Sequence, residues 1–441
     1  MTLRVAPSDR GAVTRIVGAT LPDGSRADLA IADGVFVDAA SRADRTIDAA
    51  GLIALPGLVD LHTHLREPGF EQAETVLTGT MAAAAGGYTA VFAMANTQPV
   101  QDTAGVVEQV QALGRRAGYA TVRPIGAVTV GLKGVQLAEI GAMAASRAGV
   151  TVFSDDGMCV HDPLLMRRAL EYVATFGGVV AQHAQDPRLT EAAQMNEGAV
   201  SARLGLAGWP AVAEESIIAR DVLLAEHVGA RLHVCHVSTA GAVEVIRWAK
   251  ARGIRVTAEA TPHHLLLTED LAEGYDARFK VNPPLRTSED VEALRAGLAD
   301  GTIDIVATDH APHPTEAKEC AWAEAANGMV GLESALSVVH TAVVETGLLD
   351  WDDVARVMSR APARIGGLRG QGGAFAIGAP AHLALYDPAA RTTFSAGSLR
   401  GRSTNSPYLG RELPGRVLHV FHGGVPTVLD GELRPIEEVA R

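Results

Sequence analysis

Lysine, cysteine and aromatic residues are all scarce in this chain of 441 residues. There are four lysines, Lys133, Lys250, Lys280 and Lys318, and Phe, Trp and Tyr together make up 4%. With Lys+Arg at 38 against 51 Asp+Glu, the formal charge is −13. A phosphate-tracking basic face lined with stacking rings is therefore excluded, and no nucleic-acid partner is expected. The three cysteines, Cys159, Cys235 and Cys320, are odd in number and far apart. That spacing gives neither a disulfide framework nor a cysteine zinc cluster, and it suits a reducing compartment. No apolar run is long enough to cross a bilayer: the most apolar stretch, Met81 to Ala95, is short and broken by Gly86-Gly87. The opening MTLRVAPSDRGAV has no apolar core of a signal peptide. A cytoplasmic protein without a membrane partner is expected.

What is present is an ordinary globular balance, 47% apolar and 20% charged, in a chain long enough for more than one domain. Up to about residue 55 the chain reads as short strands at Arg15 to Thr20, Asp28 to Ala32 and Val35 to Val37, with turns at Pro22-Asp23-Gly24 and Asp33-Gly34. From Gly57 onward, eight apolar runs of strand length alternate with helix-like stretches: 57–64, 88–95, 121–129, 149–156, 177–183, 231–237, 254–264 and 303–310. Asp162 to Thr175, Ala240 to Ala251 and Ser288 to Leu298 are amphipathic. Eight βα units predict an α/β protein with a (β/α)8 TIM barrel rather than a doubly wound sheet. After about residue 370 strand-rich, Gly-rich sequence returns. The expectation is a small β-sandwich built from both chain ends, 1–55 and 370–441, beside a barrel over 56–369.

Polar residues interrupt the apolar runs at their C-terminal ends, where barrels build their sites. Five runs finish this way, in His62 and His64, Asp155 and Asp156, His183, His236, and Asp309 with His310. Such groups are costly in a packed strand unless something satisfies them, and a cation satisfies several at once. His62 and His64, two apart on a strand, point to one face, as half of a zinc site requires. Nitrogen and oxygen donors without thiolate fit Zn²⁺, with Mn²⁺ or Co²⁺ as substitutes. His62, His64, His183, His236, Asp309 and one aspartate of the pair make six candidates, too many for one open catalytic zinc and suited to two ions sharing a water or hydroxide. Such a pair supplies a nucleophile at neutral pH, which is hydrolase chemistry.

Pro56-Gly57-Leu58-Val59-Asp60-Leu61-His62-Thr63-His64-Leu65-Arg66-Glu67-Pro68-Gly69 resembles the first-strand signature of the cyclic-amidohydrolase superfamily, and its HTHLREPG core is similar to that of the dihydroorotase family. Further blocks follow in family order between about residues 50 and 335: Ala95-Asn96-Thr97, Phe153 to Gly157, His233 to Ser238, Pro262-His263-His264, Asn282 to Arg286 and Thr308 to His313. The resemblance implies that His62, His64 and Asp309 hold one zinc, that His183 and His236 hold the second, and that Asp156 bridges them together with a hydroxide. Many relatives use a carboxylated lysine as the bridge. Here no lysine falls in the fourth run, where Ser154-Asp155-Asp156-Gly157 stands, as in the bacterial type I branch. Asp156 is preferred over Asp155 as the bridge.

The resemblance further implies that Asp309 acts as general base and acid, that Arg66, Asn96 and His313 bind a substrate carboxylate near His64, and that the backbone at Asn282 and at Asn327-Gly328 holds the ring edges. A planar guanidinium suits a carboxylate. Substrates of hydantoinases and dihydropyrimidinases lack that group, so the implied activity is interconversion of N-carbamoyl-L-aspartate and L-dihydroorotate in pyrimidine synthesis. The alternatives are a hydantoinase, dihydropyrimidinase or allantoinase, or a non-catalytic scaffold for aspartate carbamoyltransferase. Family habit implies a homodimer, and a complex with that transferase is a further expectation. His263-His264 is expected to be a hydrogen-bonded structural pair, Lys133 a surface residue, and Cys235 an inert buried thiol facing away from His236. Residues Lys318 to Ala326 depart from the family's usual Pro/Phe-bearing version of this segment.

Overall fold

The computed structural model of the protein describes residues 12–436; Met1 to Gly11 and 437–441, the extreme ends of the two expected β segments, lie outside the described residues. The chain opens with β1 (Thr14–Thr20), β2 (Arg26–Ala32), β3 (Val35–Val37), β4 (Arg45–Asp48) and β5 (Ile53–Pro56). Asp33 and Gly34 both take positive φ, 49° and 86°, and close the β2–β3 hairpin as a tight two-residue turn requires.

After Gly57 come the barrel strands β6 (Leu58–Thr63), β7 (Tyr88–Ala93), β8 (Thr121–Pro124), β9 (Val152–Phe153) and β10 (Val179–Gln182). A side excursion carries the small parallel pair β11 (Met195–Asn196) and β12 (Gly208–Trp209), followed by β13 (Leu232–Val234), β14 (Val256–Ala260) and β15 (Ile305–Val306). Parallel pairing joins β6, β7 and β8 into one sheet and β9, β10, β13, β14 and β15 into another. Parallel bridges Gly126↔Phe153 and Thr63↔His310 connect the two at both edges. The eight strands thus form a closed ring, the TIM barrel expected from eight βα units.

Helices lie between the strands because apolar residues recur at helical spacing behind good caps. In the helix Pro163–Ala174, the N-cap Asp162 accepts from the Leu165 amide and proline occupies the first turn. Its buried stripe is Met166, Ala169, Leu170 and Val173. Thr239 caps Ala240–Ala251, and Thr287 with Asp290 forms a capping box before Ser288–Asp300. Among the described residues no helix is long and apolar enough to cross a membrane.

The chain ends with β16 (Leu383–Thr393), β17 (Glu412–His422), β18 (Val425–Leu429) and β19 (Glu432–Leu433). β16 pairs antiparallel with β5, so both ends of the chain share one nine-stranded sheet. That sheet has its own core, including Ile16, Ile31, Phe36, Leu383, Leu385 and Phe421.

Inside the barrel, side chains sort by strand alternation. Val59, Leu61, Phe92, Val179 and Ile305 fill the interior, while Leu58, Val91, Val180 and Val306 face the helices. Below, the helix Ala361–Ile365 packs Ala361, Ala363 and Ile365 against that interior. The seam between β15 and β6 carries a buried polar tie. Asp60 accepts from the Thr308 amide at 3.1 Å and from Thr308 Oγ1 at 2.5 Å, and also from the His62 amide at 3.1 Å. Burial pushes the Asp60 carboxyl up to about 7. Thr308→Val removes one donor from this enclosed carboxyl and is expected to lower stability by about 1–3 kcal/mol in urea unfolding; an unchanged midpoint and slope would show that the tie contributes nothing to closure.

Candidate active site

The strand ends at one mouth of the barrel bring six side chains together across nearly the whole length of the barrel sequence. His62 and His64, at the end of β6, have ring centroids 5.4 Å apart. After β9 the chain continues alternating. Asp155 turns outward to accept from the amides of Val128 and Thr129 at 2.8 and 2.9 Å and from the Thr129 hydroxyl. Asp156 turns inward. Burial pushes the Asp155 carboxyl up to about 6, against the opposing pull of those donors.

Asp156 offers one oxygen to each of two histidine pairs. Its Oδ2 lies 3.3 Å from His62 Nε2 and 3.4 Å from His64 Nε2. Its Oδ1 lies 3.2 Å from His236 Nε2 and 3.4 Å from His183 Nδ1. Asp309 Oδ1 completes the first group at 3.0 Å from His64 Nε2 and 3.4 Å from His62 Nε2. These groups are all buried. Burial works against charge at His62, Asp156 and Asp309, yet the carboxylates push His62 well up, while the imidazoles hold Asp156 well down and Asp309 down at about 2.

His62 Nε2 is fully buried and makes no hydrogen bond, although two carboxylate oxygens face it at ion-pair distance. An enclosed set of imidazole nitrogens and carboxylate oxygens with an orphaned acceptor fits a divalent cation. Among the described residues three groups of three have the required convergence, His62–His64–Asp156, Asp156–His183–His236 and His62–Cys235–Glu259, and only the first two offer nitrogen and oxygen donors alone.

Two of these residues depart from regular strand geometry. His236 has φ of 28° and Asp309 φ of 46°, both in the left-handed region that non-glycine residues seldom adopt. In β13, Leu232 and Val234 face the helices. Simple alternation would then send His236 outward, and the positive φ turns it into the site instead. The same geometry overturns the expectation that Cys235 faces away from the histidines. Cys235 is buried as expected, but it faces the barrel interior, in a group with His62 and Glu259.

Glu259 escaped the sequence reading. It occupies an inward position of β14 and is fully buried. Its Oε1 lies 2.5 Å from His62 Nδ1 and accepts from the His236 amide at 3.2 Å, while Oε2 lies 2.9 Å from His233 Nε2. His62 and His233 hold its carboxylate well below the usual range against the cost of burial. A carboxylate behind a histidine fixes the tautomer that leaves Nε2 free as a ligand. The available signal was an acid alternating with Thr257 on the inward face of an apolar run.

The outer residues of the site surround this cluster. Asn96 Oδ1 lies 2.9 Å from His64 Nδ1, and its Nδ2 lies 3.5 Å from the Asp156 carbonyl. Arg66, half-buried, donates from Nε to the Pro312 carbonyl at 3.1 Å and places Nη2 3.4 Å from His313 Nε2. Burial lowers Arg66 to about 10, with Asp309 and Asp156 opposing, so it stays charged at neutral pH. His313 is pushed down to about 3 by burial and by Arg66, hence neutral, and donates to the Asn327 carbonyl at 2.8 Å. Gly328 packs so closely that a Cβ there would lie 3.0 Å from His313 Nε2. Asn282 donates to Gln185 Oε1 at 3.2 Å, the same oxygen that lies 2.7 Å from His183 Nε2. His264 is tied to Thr261 and to the Pro283 carbonyl, whereas His263 Nε2 is buried without a hydrogen-bond partner among the described residues; Lys133 is exposed.

Comparisons with known proteins agree with this geometry. A profile of the family described as Dihydro-orotase-like matches residues 51–242. The Dihydroorotase of Leifsonia xyli subsp. xyli is 73% identical, covering 94% of this chain and 96% of its own. The Dihydroorotase of Streptomyces coelicolor is 65% identical, covering 95% and 99% respectively. Among solved structures, the L-hydantoinase (dihydropyrimidinase) from Arthrobacter aurescens superposes with a TM-score of 0.85 at 27% identity, covering 96% of this chain and 97% of its own.

Glu259→Gln should weaken metal binding by about 10- to 100-fold in chelator competition, because the amide no longer accepts from both His62 and His233; undiminished affinity would reduce Glu259 to a packing role.

Proposed function

The chain belongs to the dihydroorotase family, and from that premise we propose how its own residues carry out the reaction. The activity is that of a cyclic-amide hydrolase, interconverting N-carbamoyl-L-aspartate and L-dihydroorotate in pyrimidine synthesis. One observation carries the mechanism: the Asp156 carboxylate, with an oxygen toward each histidine pair, beside Asp309 and under Arg66.

We assign His62, His64 and Asp309 to one cation, His183 and His236 to a second, and Asp156 to both, with Zn²⁺ as the ion. Bound there, such a pair supplies Lewis acidity and lowers the pKa of water. Asp309, held ionised by the neighbouring imidazoles, accepts the proton of the attacking water through Oδ1 and passes it to the ring nitrogen as the amide bond breaks. The same carboxyl in reverse removes a proton from the carbamoyl nitrogen during ring closure. Asn96 fixes the His64 ring by its bond to Nδ1, and Glu259 fixes His62.

Arg66 and His313 sit together at the mouth: Arg66 supplies a charged fork for the substrate carboxylate, and His313, its Nε2–H held by the Asn327 carbonyl, stands beside that guanidinium. Asn282 and the backbone at Asn327-Gly328 line the adjoining rim, where they hold the ring edges. That carboxylate pocket is the feature favouring dihydroorotate over a plain hydantoin, and six converging side chains favour an enzyme over a pure scaffold. Family resemblance supports a homodimer in the cytoplasm and a complex with an aspartate carbamoyltransferase. The shared sheet of the chain ends supports a barrel unit over 56–369 and a β unit from 1–55 with 370–441.

Asp309→Asn is expected to keep its metal and lose about 100- to 10,000-fold in kcat, the worth of a general base; a variant with near-normal turnover would remove Asp309 from the proton path. Arg66→Ala should raise KM for dihydroorotate about 10- to 100-fold with metal content unchanged, as loss of a charge-assisted contact demands. An unaltered KM would place the carboxylate elsewhere.

A further inference from the structure

Lys318 and Lys280 are two of the four lysines, and both are buried in the segment that departs from the family pattern or against it. Lys318 is 7% exposed and has no carboxylate partner among the described residues. Its ammonium instead donates to three backbone carbonyls, Lys280 at 3.1 Å, Ala326 at 2.7 Å and Gly328 at 2.8 Å. Lys280 Nζ donates to the Trp322 carbonyl at 2.6 Å, and the Lys280 carbonyl also accepts from the Gly328 amide at 3.0 Å. Three acceptors match the three donors of an ammonium. Burying an ammonium on a surface loop is costly, so the arrangement calls for a reason.

The geometry points to Lys318 as a positioning residue for the substrate carboxylate, acting through Gly328 and Asn327 on His313 and Arg66. Gly328, with φ of 131°, lies against His313, and the Asn327 carbonyl receives the His313 Nε2–H at 2.8 Å. His313 in turn stands 3.4 Å from Arg66 Nη2. Asn405 Nδ2 donates to the same Gly328 carbonyl at 3.2 Å, so the Lys318 bond is one half of a clamp. Releasing it frees the 318–328 loop to carry His313 out of register while leaving in place the metal-binding cluster, whose members stand at the strand ends and not in that loop. This inference rests on the reading of Arg66 and His313 as the carboxylate pocket.

The clamp also responds to pH. Burial pushes Lys318 down to about 7, aided by neighbouring Lys280 and opposed by Asp276 and by Cys320. The groups facing it are these three and His313, with Asp276 itself paired to Arg278. Below about pH 7 the ammonium keeps all three donors. Above it the neutral amine has two for three carbonyls, and the clamp loosens.

The test is steady-state kinetics of the full-length enzyme with dihydroorotate from pH 6 to 9, for wild type and Lys318→Met, with metal content measured on the same samples. The expected result is a KM raised about tenfold in Lys318→Met at pH 6, the effect of one lost charge-assisted hydrogen bond, with kcat within about twofold and equal metal. Wild-type KM is expected to climb as pH rises through about 7, and this climb should be absent from the variant. Equal KM in both proteins, or a fall in kcat with KM constant, overturns the inference. If Lys318→Met does not fold, the wild-type profile decides, and a KM flat across pH 7 refutes it. A wild-type chain that does not hydrolyse dihydroorotate would instead overturn the functional reading.

Discussion

One carboxylate shared between two pairs of imidazoles is the constraint on which the site depends. The two Asp156 oxygens stand 3.2 to 3.4 Å from four histidine nitrogens at once. Burial of so many polar atoms around one carboxylate is unfavourable unless positive charge lies between them. The cluster therefore fits a cation site, and the neighbouring features hold its donors in that arrangement. Glu259 and Asn96 fix rings from behind, and the Asp60–Thr308 tie fixes the seam that carries His62 and Asp309.

The barrel delivers these groups because strand alternation decides which residues meet. Leu61 and Phe92 plug the interior lower down, so polar side chains concentrate at the mouth. Asp155 and Asp156, adjacent in sequence, go to opposite sides of β9 and so to different work: one secures the loop at Val128 and Thr129, the other faces the histidines. The L-hydantoinase (dihydropyrimidinase) neighbour shares this architecture, and a shared fold does not by itself set the substrate.

Much of this was legible in the sequence. Eight apolar runs announced eight strands, and a period of two put His62 and His64 on one face. Polar residues at run ends marked the mouth because an unpartnered polar side chain is costly within a packed strand. What the sequence did not show was geometry that breaks the period. The positive φ at His236 breaks the alternation, so that His236 reaches the site as expected while Cys235, expected to face away from it, also faces the interior. Glu259 was overlooked because an isolated acid in an apolar run looks like a solvent-facing residue until its partners from other strands are known. Lys318 was hidden for the same reason, its partners being backbone carbonyls that no side-chain pattern records.

The most direct test of the shared carboxylate is an anomalous-difference map from crystals of the zinc-loaded protein. Two peaks are expected, one against His62, His64 and Asp309 and one against His183 and His236, with Asp156 reaching both. A single peak, or a peak lodged among His62, Cys235 and Glu259, would contradict the account.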